Sequence, residues 1–293
     1  MWLIQAQFAG YFLAARDVPE LEFVPRAFDS SPVRELEVGN ADFGVVSPAQ
    51  LLAAGDAADG LVLLALVMDR SPLVLVGLQE RVGGDFGALE RPRVGVWEGE
   101  DVEIRAMLAR GGLAPERTEF IPMGDDVSPL LTGEIDFLQA TVYEELPRLA
   151  REGADPDSLV VHAPRNYGLE VAKDGLVVRR DLLETQPELV YAVTRAVLRG
   201  WADARRDAEL GVRATTALRP ELDAELQGAQ LELILDLITP SRALGLPDPA
   251  AVERALEAFD SAGIGLRRRT IAIGDGPWRA AAAELGLAQS AIA

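Results

Sequence analysis

Flat aromatic side chains follow several predicted strands of this chain and could bind a ring-shaped molecule. Phe8, Tyr11, Trp97 and Tyr143 each stand near the carboxyl end of a predicted strand, which is where open α/β sheets bind ligands. Aromatic rings of a protein stack on flat ligands. Each ring taken alone is better explained by core packing, so the interpretation depends on their shared location. We therefore predict a site for a small, flat solute.

Carboxylates crowd the predicted second half of this site, and their charge narrows the kind of ligand. Helix N-termini ordinarily attract anions, but acidic residues already occupy them here, so a phosphate or sulfonate would be repelled. Some of these acids fit the alternative that first-turn carboxylates only complement helix dipoles. The pattern favours a cation, or a neutral ring that carries N–H donors. The acidic residues are Glu98, Glu100, Asp101, Asp125, Asp126, Glu144 and Glu145.

Residues for catalysis or metal binding are sparse. The chain has no cysteine and one histidine, and it contains no Walker loop, no G-x-G-x-x-G and no G-x-S-x-G motif. The histidine, His162, lies at a predicted strand end, where an ordinary hydrogen bond explains it better than chemistry does. We therefore predict a binding protein that has no enzymatic activity and needs no cofactor or metal.

The net charge limits the possible partners. The chain of 293 residues has a formal net charge of −19 at pH 7 and a hydrophobic content of 49%. An acidic surface repels nucleic acid and anionic lipid, so we expect no nucleic-acid partner. No apolar stretch approaches the roughly 18 residues of a membrane span. The hydrophobic content is ample for two lobes of ordinary size.

Two segments with the same pattern indicate two similar lobes. Residues 38–46 and 132–140 each place a glycine before an Asp-Phe pair and an apolar run. A glycine ends a helix without a Cβ penalty, and a short apolar run after it is typical of a buried parallel strand. We predict a first lobe of residues 1–88 and 168–293 and a second lobe of residues 89–167. Each lobe is expected to be a mostly parallel sheet flanked by helices.

The predicted lobes are built from alternating strands and helices, the pattern of α/β proteins. At the N-terminus, the sequence predicts a strand over residues 1–6, a short helix over residues 10–16 and a second strand over residues 21–24. Two chain crossings should connect the lobes, near residues 87–91 and 164–168.

The N-terminal run of residues 2–12 resembles a known family of transport proteins. It reads Trp-Leu-Ile-Gln-Ala-Gln-Phe-Ala-Gly-Tyr-Phe, which is similar to the opening strand and helix of ABC-transporter solute-binding proteins related to the thiamine-pyrimidine synthases. The resemblance covers most of residues 1–260. The other blocks that agree with this family are residues 38–46, 94–97 with Gly99, 143–145 and 166–168.

The resemblance implies a two-lobed type II periplasmic binding protein, or Venus flytrap. Such a protein closes on a heteroaromatic solute and delivers it to the permease of an ABC importer. Solutes known in the family include riboflavin and the aminopyrimidine precursors of thiamine. We expect an aminopyrimidine, with riboflavin as the alternative. We also expect a monomer that resides in the periplasm or outside the cell and is membrane-anchored in its native form, with a leader that precedes the sequence given.

By position, the resemblance assigns ring stacking to four aromatic residues and hydrogen bonding to two other residues. The stacking residues are Trp2, Phe8, Tyr11 and Trp97, and the hydrogen-bonding residues are Tyr143 and Glu145, the latter matching the family glutamate. The complete predicted ligand site consists of Trp2, Gln5, Phe8, Tyr11, Ser47, Asp69, Trp97, Glu98, Tyr143, Glu145 and Tyr167.

The chain departs from the family at two places that bear on the solute. The longer stretch that relatives carry after the first helix is cut to residues 16–20, and their Tyr-Asn-Glu is Tyr-Glu-Glu at residues 143–145. Two other classes share the fold. Fungal synthases make the thiamine pyrimidine from a histidine and a bound pyridoxal cofactor, with iron and a cysteine-rich motif, and this chain has no cysteine. Effector domains of transcription regulators would carry a fused DNA-binding segment.

Overall fold

The chain folds into two compact α/β units. The computed structural model describes residues 1, 3–25, 31–84, 86, 89–97, 99–238, 242–267 and 269–287. Unit 1 contains residues 1–70, 172–252 and 268–293, and unit 2 contains residues 71–171 and 253–267. The predicted α/β class with two lobes is thereby confirmed. No helix of the described ranges combines the length and the apolar character that crossing a membrane requires.

Strands and helices alternate through the first two thirds of the chain, and helices dominate the rest. The strands are β1 Phe43–Val46, β2 Leu61–Met68, β3 Leu73–Leu78, β4 Arg93–Val96, β5 Glu119–Pro122, β6 Phe137–Thr141, β7 Leu159–His162 and β8 Lys173–Arg179. The helices are α1 Ala9–Ala14, α2 Pro32–Glu37, α3 Pro48–Ala54, α4 Gln79–Val82, α5 Val102–Arg110, α6 Ser128–Thr132, α7 Glu145–Arg151, α8 Arg180–Thr185, α9 Pro187–Arg206, α10 Ala208–Leu218, α11 Ala224–Leu237, α12 Pro249–Ser261 and α13 Asp275–Leu285.

Strand β3 belongs to unit 2, whereas the predicted boundary places residues 71–88 in the first lobe. Leu73 of β3 lies opposite Thr141 of β6, and β3 also pairs with β7. An apolar run shows that a strand is buried but not which sheet it joins. The chain passes between the units at residues 70/71, 171/172, 252/253 and 267/268, which differs from the two predicted crossings.

Unit 1 has a three-stranded sheet in which β8 lies between β1 and β2. Strand β8 runs antiparallel to both neighbours, so this sheet is not mostly parallel as predicted. Every residue of β2 is buried, and a strand covered on both faces shows a continuous apolar run whatever the direction of its neighbour. The run therefore does not determine strand direction. Leu36, Leu51 and Leu63 belong to the core packed on this sheet.

Unit 2 has a five-stranded mixed sheet in the order β5-β4-β6-β3-β7. Strand β4 is parallel to β5 and β6, while β3 is antiparallel to β6 and β7. The three parallel strands end at the same edge of the sheet, which is the edge where open α/β sheets bind ligands. Val76, Leu130 and Leu138 belong to the core of this unit.

The repeated glycine–aspartate segment has the same role in both units. Gly39, with φ 80°, follows α2, and Gly133, with φ 81°, caps α6. Three residues after each glycine, an aspartate binds an arginine at the end of a strand. In unit 1 this arginine is the last residue of β8, and in unit 2 it is the first residue of β4. The pairs are Asp42–Arg179 at 3.1 Å and Asp136–Arg93 at 2.7 Å. Each junction therefore fixes the end of a helix and the end of a neighbouring strand together.

The N-terminal segment is not the strand predicted for residues 1–6. Ala6–Phe8 forms a 3-10 helix that leads into α1. The buried backbone N–H of Ala6 donates to the side-chain oxygens of Gln227, at 2.7 Å, and Gln230, at 3.0 Å. Because these acceptors come from α11, the segment needs no sheet partner. Residues 21–24, the other predicted strand, also lie outside strands.

Helix α1 crosses α9 at a contact that only glycine permits. A Cβ atom on Gly200 would overlap the carbonyl oxygen of Gly10, and a Cβ atom on Gly10 would overlap the indole of Trp201. Trp201 is fully buried, and the Tyr11 ring meets it edge-on with 5.8 Å between ring centroids. These glycines therefore set the close approach of the two helices.

Gly200→Ala should lower the free energy of unfolding by about 1–3 kcal/mol, because an added methyl group forces the two helices apart. Gly228→Ala is the matched control, since it also lies within a helix but its nearest neighbour, Val212 Cγ2, is 4.0 Å from the added Cβ. Alanine there should stabilise by about 0.5–1 kcal/mol. Urea unfolding measures both, and equal effects of the two substitutions would contradict the packing argument.

Candidate functional site

The parallel strands of unit 2 bring several predicted site residues to one edge. The loops after β4, β5 and β6 contribute the strand-end cluster, which we define as Trp97, Gly124, Asp125, Glu144 and Glu145. The backbone N–H of Met123 continues the β4–β5 pairing by donating to Val96 O at 2.8 Å. The three loops therefore lie side by side, as the strand-end rule predicts.

Trp97 is half-buried, and its position in the strand-end cluster is fixed by hydrogen bonds on both its side chain and its backbone. Its indole Nε1 donates to Gly124 O at 3.1 Å, and its backbone N–H donates to Gln139 Oε1 at 3.2 Å. Gln139, on β6, is fully buried and donates in turn to Glu100 O at 3.2 Å. Gln139 is absent from the predicted site, although a glutamine within an apolar predicted strand is a signal for such a role.

Glu145 begins α7 and has one carboxylate oxygen already bound. Its Oε2 accepts from the backbone N–H of Thr141 at 2.8 Å and from Thr141 Oγ1 at 2.7 Å. Burial raises the pKa of Glu145 above its usual value although these bonds oppose the rise, and burial likewise raises the pKa of Glu144. A carboxylate has about four acceptor directions, and a ligand amino group is a suitable further donor to Glu145.

Arginines near the strand-end cluster are bound to acidic or carbonyl oxygens. Arg148 Nε donates to Glu152 at 2.8 Å, and its NH1 donates to Asp125 O at 2.8 Å. Arg105 Nε lies 2.6 Å from an Asp101 oxygen. These contacts engage Arg148 and Arg105 with oxygens of unit 2 itself. The local charge thus agrees with the acidic rim seen in the sequence.

Tyr143 and Tyr167 are two further predicted residues of unit 2. Tyr143 packs away from solvent, and Tyr167 belongs to a different cluster. Tyr143 is 4% exposed. Tyr167 places its hydroxyl 2.6 Å from His162 Nδ1 and stacks on Phe86 with 5.4 Å between ring centroids. His162 is itself 4.2 Å from the Phe86 ring centroid. The single histidine therefore belongs to a buried aromatic group, which fits its expected ordinary hydrogen bond.

Phe8 and Tyr11, two of the predicted aromatic residues of unit 1, are core residues. Phe8 is fully buried, and Tyr11 is 4% exposed. The Tyr11 hydroxyl donates to the backbone oxygen of Asp174 at 3.0 Å, and burial raises the pKa of Tyr11 well above its usual value. Both rings are therefore occupied with packing inside unit 1, as is expected of aromatic residues taken singly.

Ser47 and Asp69 each bind another side chain of unit 1. Ser47 forms a capping box with Gln50 at the start of α3, with bonds of 2.7 and 3.2 Å. Asp69 forms an ion pair with Arg242 at 2.8 Å. Their predicted ligand contacts stay predictions. Trp2 and Glu98 lie outside the described residues.

Gln5 is the member of the predicted unit 1 site that joins a larger polar group. Its Oε1 accepts from Gln230 Nε2 at 3.2 Å, and its Nε2 donates to Gln7 Oε1 at 2.9 Å. Gln7 Nε2 then donates to Asp174 Oδ2 at 3.0 Å. We call this chain of Gln230, Gln5, Gln7 and Asp174 the amide relay. Its other members were not predicted, because they are far from Gln5 in sequence or carry no motif.

Asp174 is the charged end of the amide relay. It is 8% exposed, and its φ of 54° places it in the left-handed region, which aspartate tolerates better than most residues. Burial raises its pKa from 3.8 to about 6, although the bond from Gln7 and the charge of Lys173 oppose the rise. At neutral pH the carboxylate is therefore ionised inside unit 1.

With its two α/β units, the chain has the fold of periplasmic binding proteins such as SsuA from Escherichia coli. Within that class, the chain belongs to the family described as NMT1/THI5 like, whose model matches residues 1–209. The family resemblance inferred from the N-terminal run is thereby confirmed. No curated protein matches the chain.

Solved structures with this fold include transport proteins and an enzyme. The ligand binding component of an ABC-type import system from Staphylococcus aureus, with zinc bound, is 10% identical with a TM-score of 0.68, covering 96% of this chain and 97% of its own. The periplasmic aliphatic sulphonate binding protein SsuA from Escherichia coli is 15% identical with a TM-score of 0.64, covering 92% and 90%. The desulfurization enzyme DSZB is 15% identical with a TM-score of 0.63, covering 96% of each chain. At these identities the likeness shows the fold alone.

The described residues contain no group of three or more histidine, aspartate or glutamate side chains placed to hold a metal ion.

Asp174→Asn should change how the stability of the protein depends on pH. The folded pKa of about 6 lies above the ordinary 3.8, so the stability that this carboxyl contributes is present below about pH 4 and is lost as pH rises through about 6. The rise in pKa is equivalent to about 3 kcal/mol. Urea unfolding across this range should show the wild type losing stability relative to the variant. The exposed Asp181, whose pKa is lowered by Arg179, is the control: Asp181→Asn should not reproduce that loss.

Proposed function

We propose that this chain is the solute-binding component of an ABC importer and that it binds a heteroaromatic solute with amino donors. Membership of the family and the shared fold of an ABC-type import component support this assignment. An aminopyrimidine related to thiamine is the first choice of solute, and riboflavin is the second. The partner is an ABC permease. The site of action is outside the cytoplasm, with the native protein monomeric and anchored to the membrane.

One observation carries the proposal: the half-buried Trp97 ring and the Glu145 carboxylate belong to the same strand-end cluster. The indole is held by Gly124 O, and Glu145 is held through Oε2 by Thr141. A held ring costs little entropy when it stacks on a flat solute. A carboxylate held in place accepts a further hydrogen bond from an amino group. The two together match an amino-substituted ring.

The charges around the strand-end cluster favour such a ring over a sulfonate. SsuA from Escherichia coli is a sulphonate binding protein, and an anionic ligand needs unengaged cations or N–H groups. In this chain Arg148 and Arg105 are engaged with Glu152 and Asp101. Glu144 and Glu145 place two carboxylates at the same edge. An alkyl sulfonate should therefore bind weakly.

Glu145→Gln should weaken binding of an aminopyrimidine by roughly tenfold or more, because a hydrogen bond to a charged acceptor contributes about 1.5–3 kcal/mol. Calorimetric titration with an aminopyrimidine, thiamine, riboflavin and an alkyl sulfonate measures the effect. Glu152→Gln is the control, since it removes the same charge just beyond the end of α7 from a residue that binds Arg148. Trp97→Ala should cost a similar amount through lost stacking.

Two outcomes of these titrations would change the proposal. Tight binding of the sulfonate would refute the charge argument. Tight binding of riboflavin would keep the mode of recognition and replace the first-choice solute with the second.

We also infer that the protein binds its solute without converting it, although DSZB shows that an enzyme can share this fold. Lys173 and His162 are the residues that a pyridoxal-dependent synthase chemistry would use, and both are buried, at 6% and 7% exposure. After incubation with pyridoxal phosphate and iron, mass spectrometry should find both residues unmodified. Loss of histidine mass or release of a pyrimidine would favour the enzyme.

A further inference from the structure

An apolar groove lies between α1 and α10 in unit 1, and we call it the α1–α10 groove. It has a volume of about 440 Å³. Phe12 and Leu13 of α1 are buried, whereas Leu218 of α10 is 43% exposed. Phe23 meets the Phe12 ring edge-on with 5.1 Å between ring centroids. The apolar walls include Phe12, Leu13, Phe23, Leu210, Ala214 and Leu218.

The groove follows from the pattern of small and large apolar residues on α10. Leu210, Ala214 and Leu218 are four residues apart, so they share one face of the helix. Ala217 lies on the same face and also lines the groove. Alanine side chains are too short to fill the space between two helices, while the leucines keep the walls apolar. The groove is therefore space that the two alanines leave open.

Two arginines add positive charge to the groove, and no acidic residue is among the described residues that line it. The side chains of Arg16 and Arg213 are 58% and 59% exposed. Arginine packs its methylene stem on apolar surface and keeps its guanidinium in water, so both charges lie at the rim of the groove. In a chain with a net charge of −19, this positive rim is a local exception.

The ion pairs of these arginines leave N–H groups for a ligand. Arg16 NH1 lies 3.4 Å from Asp203 Oδ2, and Arg213 NH1 lies 2.9 Å from Glu209 Oε2. A guanidinium has five N–H donors, which is more than these contacts use. Exposed ion pairs of this kind also contribute little free energy. A carboxylate at the rim is therefore able to share both guanidinium groups.

We propose that the α1–α10 groove binds a soluble anionic amphiphile, an alkyl carboxylate of medium chain length, with its chain between the helices and its head group on Arg16 and Arg213. Sites for small molecules have volumes of roughly 300–1,000 Å³ and combine apolar walls with a few charged groups, and the groove matches both properties. A concave site also fits a single chain better than a flat bilayer. All its lining residues belong to unit 1, so the proposal does not depend on the strand-end cluster.

A series of chain lengths tests the apolar walls. Hexanoate, octanoate and decanoate are titrated calorimetrically below the concentrations at which they form micelles. Affinity should rise roughly fourfold for each added methylene group that the groove buries. Decyltrimethylammonium has the chain of decanoate with a cationic head group and should bind more weakly, although the net charge of the protein favours a cation. Equal affinity for the two would refute the role of the arginines.

Two kinds of substitution locate the site. Ala214→Leu fills the groove and should weaken decanoate binding by roughly tenfold or more; leucine is nearly as good a helix former as alanine, and thermal unfolding confirms that the variant folds. Arg213→Gln should weaken binding roughly twofold to fivefold, as expected for an exposed ion pair. Arg206→Gln is its control, because Arg206 is also exposed but lines the neighbouring cavity with Asp203 instead of the groove. Equal losses in the two arginine variants would contradict the proposed position of the head group.

The remaining outcomes concern other ligands and the other site. The proposal fails if none of the carboxylates binds, including the case in which the protein floats with phosphatidylglycerol vesicles instead. It also fails if Trp97→Ala abolishes decanoate binding while Ala214→Leu keeps it, since the amphiphile would then occupy the strand-end cluster. Failure of the aminopyrimidine titrations would leave the result at the α1–α10 groove unchanged.

Discussion

The buried backbone N–H of Ala6 needs an acceptor, since an unsatisfied buried donor costs about 1–3 kcal/mol. Two side chains of α11, Gln227 and Gln230, meet that need. This contact explains why the N-terminal segment does not join a sheet and instead forms a 3-10 turn that leads into α1. It also holds α11 against the segment that precedes α1. Gly10 of α1 in turn allows α9 to pack closely against that helix. Three helices of unit 1 are therefore arranged around one short stretch of backbone.

Unit 2 uses a buried glutamine in a related way. Gln139 joins the backbone N–H of Trp97 to the backbone oxygen of Glu100, across the ends of two neighbouring strands. A glutamine can do this because its amide both donates and accepts. In each unit, the loops that carry candidate ligand contacts are thus held by amide side chains from regular elements. Rigid support of this kind is what a selective binding site requires.

Local rules predicted much of the fold and which residues gather at one edge of the unit 2 sheet. The glycine stops at Gly39 and Gly133 follow from neighbouring residues alone, and the strand-end rule placed Trp97 and Glu145 at one edge of the unit 2 sheet. Strand direction in unit 1 and the sheet to which β3 belongs depend on pairings with distant segments. The amide relay depends on such contacts too, since Gln7 and Asp174 are 167 positions apart. No periodicity in the sequence encodes a contact of that kind.

The central place of β8 has a consequence for the order in which the chain can fold during synthesis. Strands β1 and β2 each pair with β8 in the sheet of unit 1, and β8 is complete only at Arg179. All five strands of unit 2 are made by His162, before β8 begins at Lys173. The later sheet can therefore close first, while the earlier two strands leave the ribosome without their partner. During that interval their apolar edges are exposed, which is the state in which chaperones are needed most.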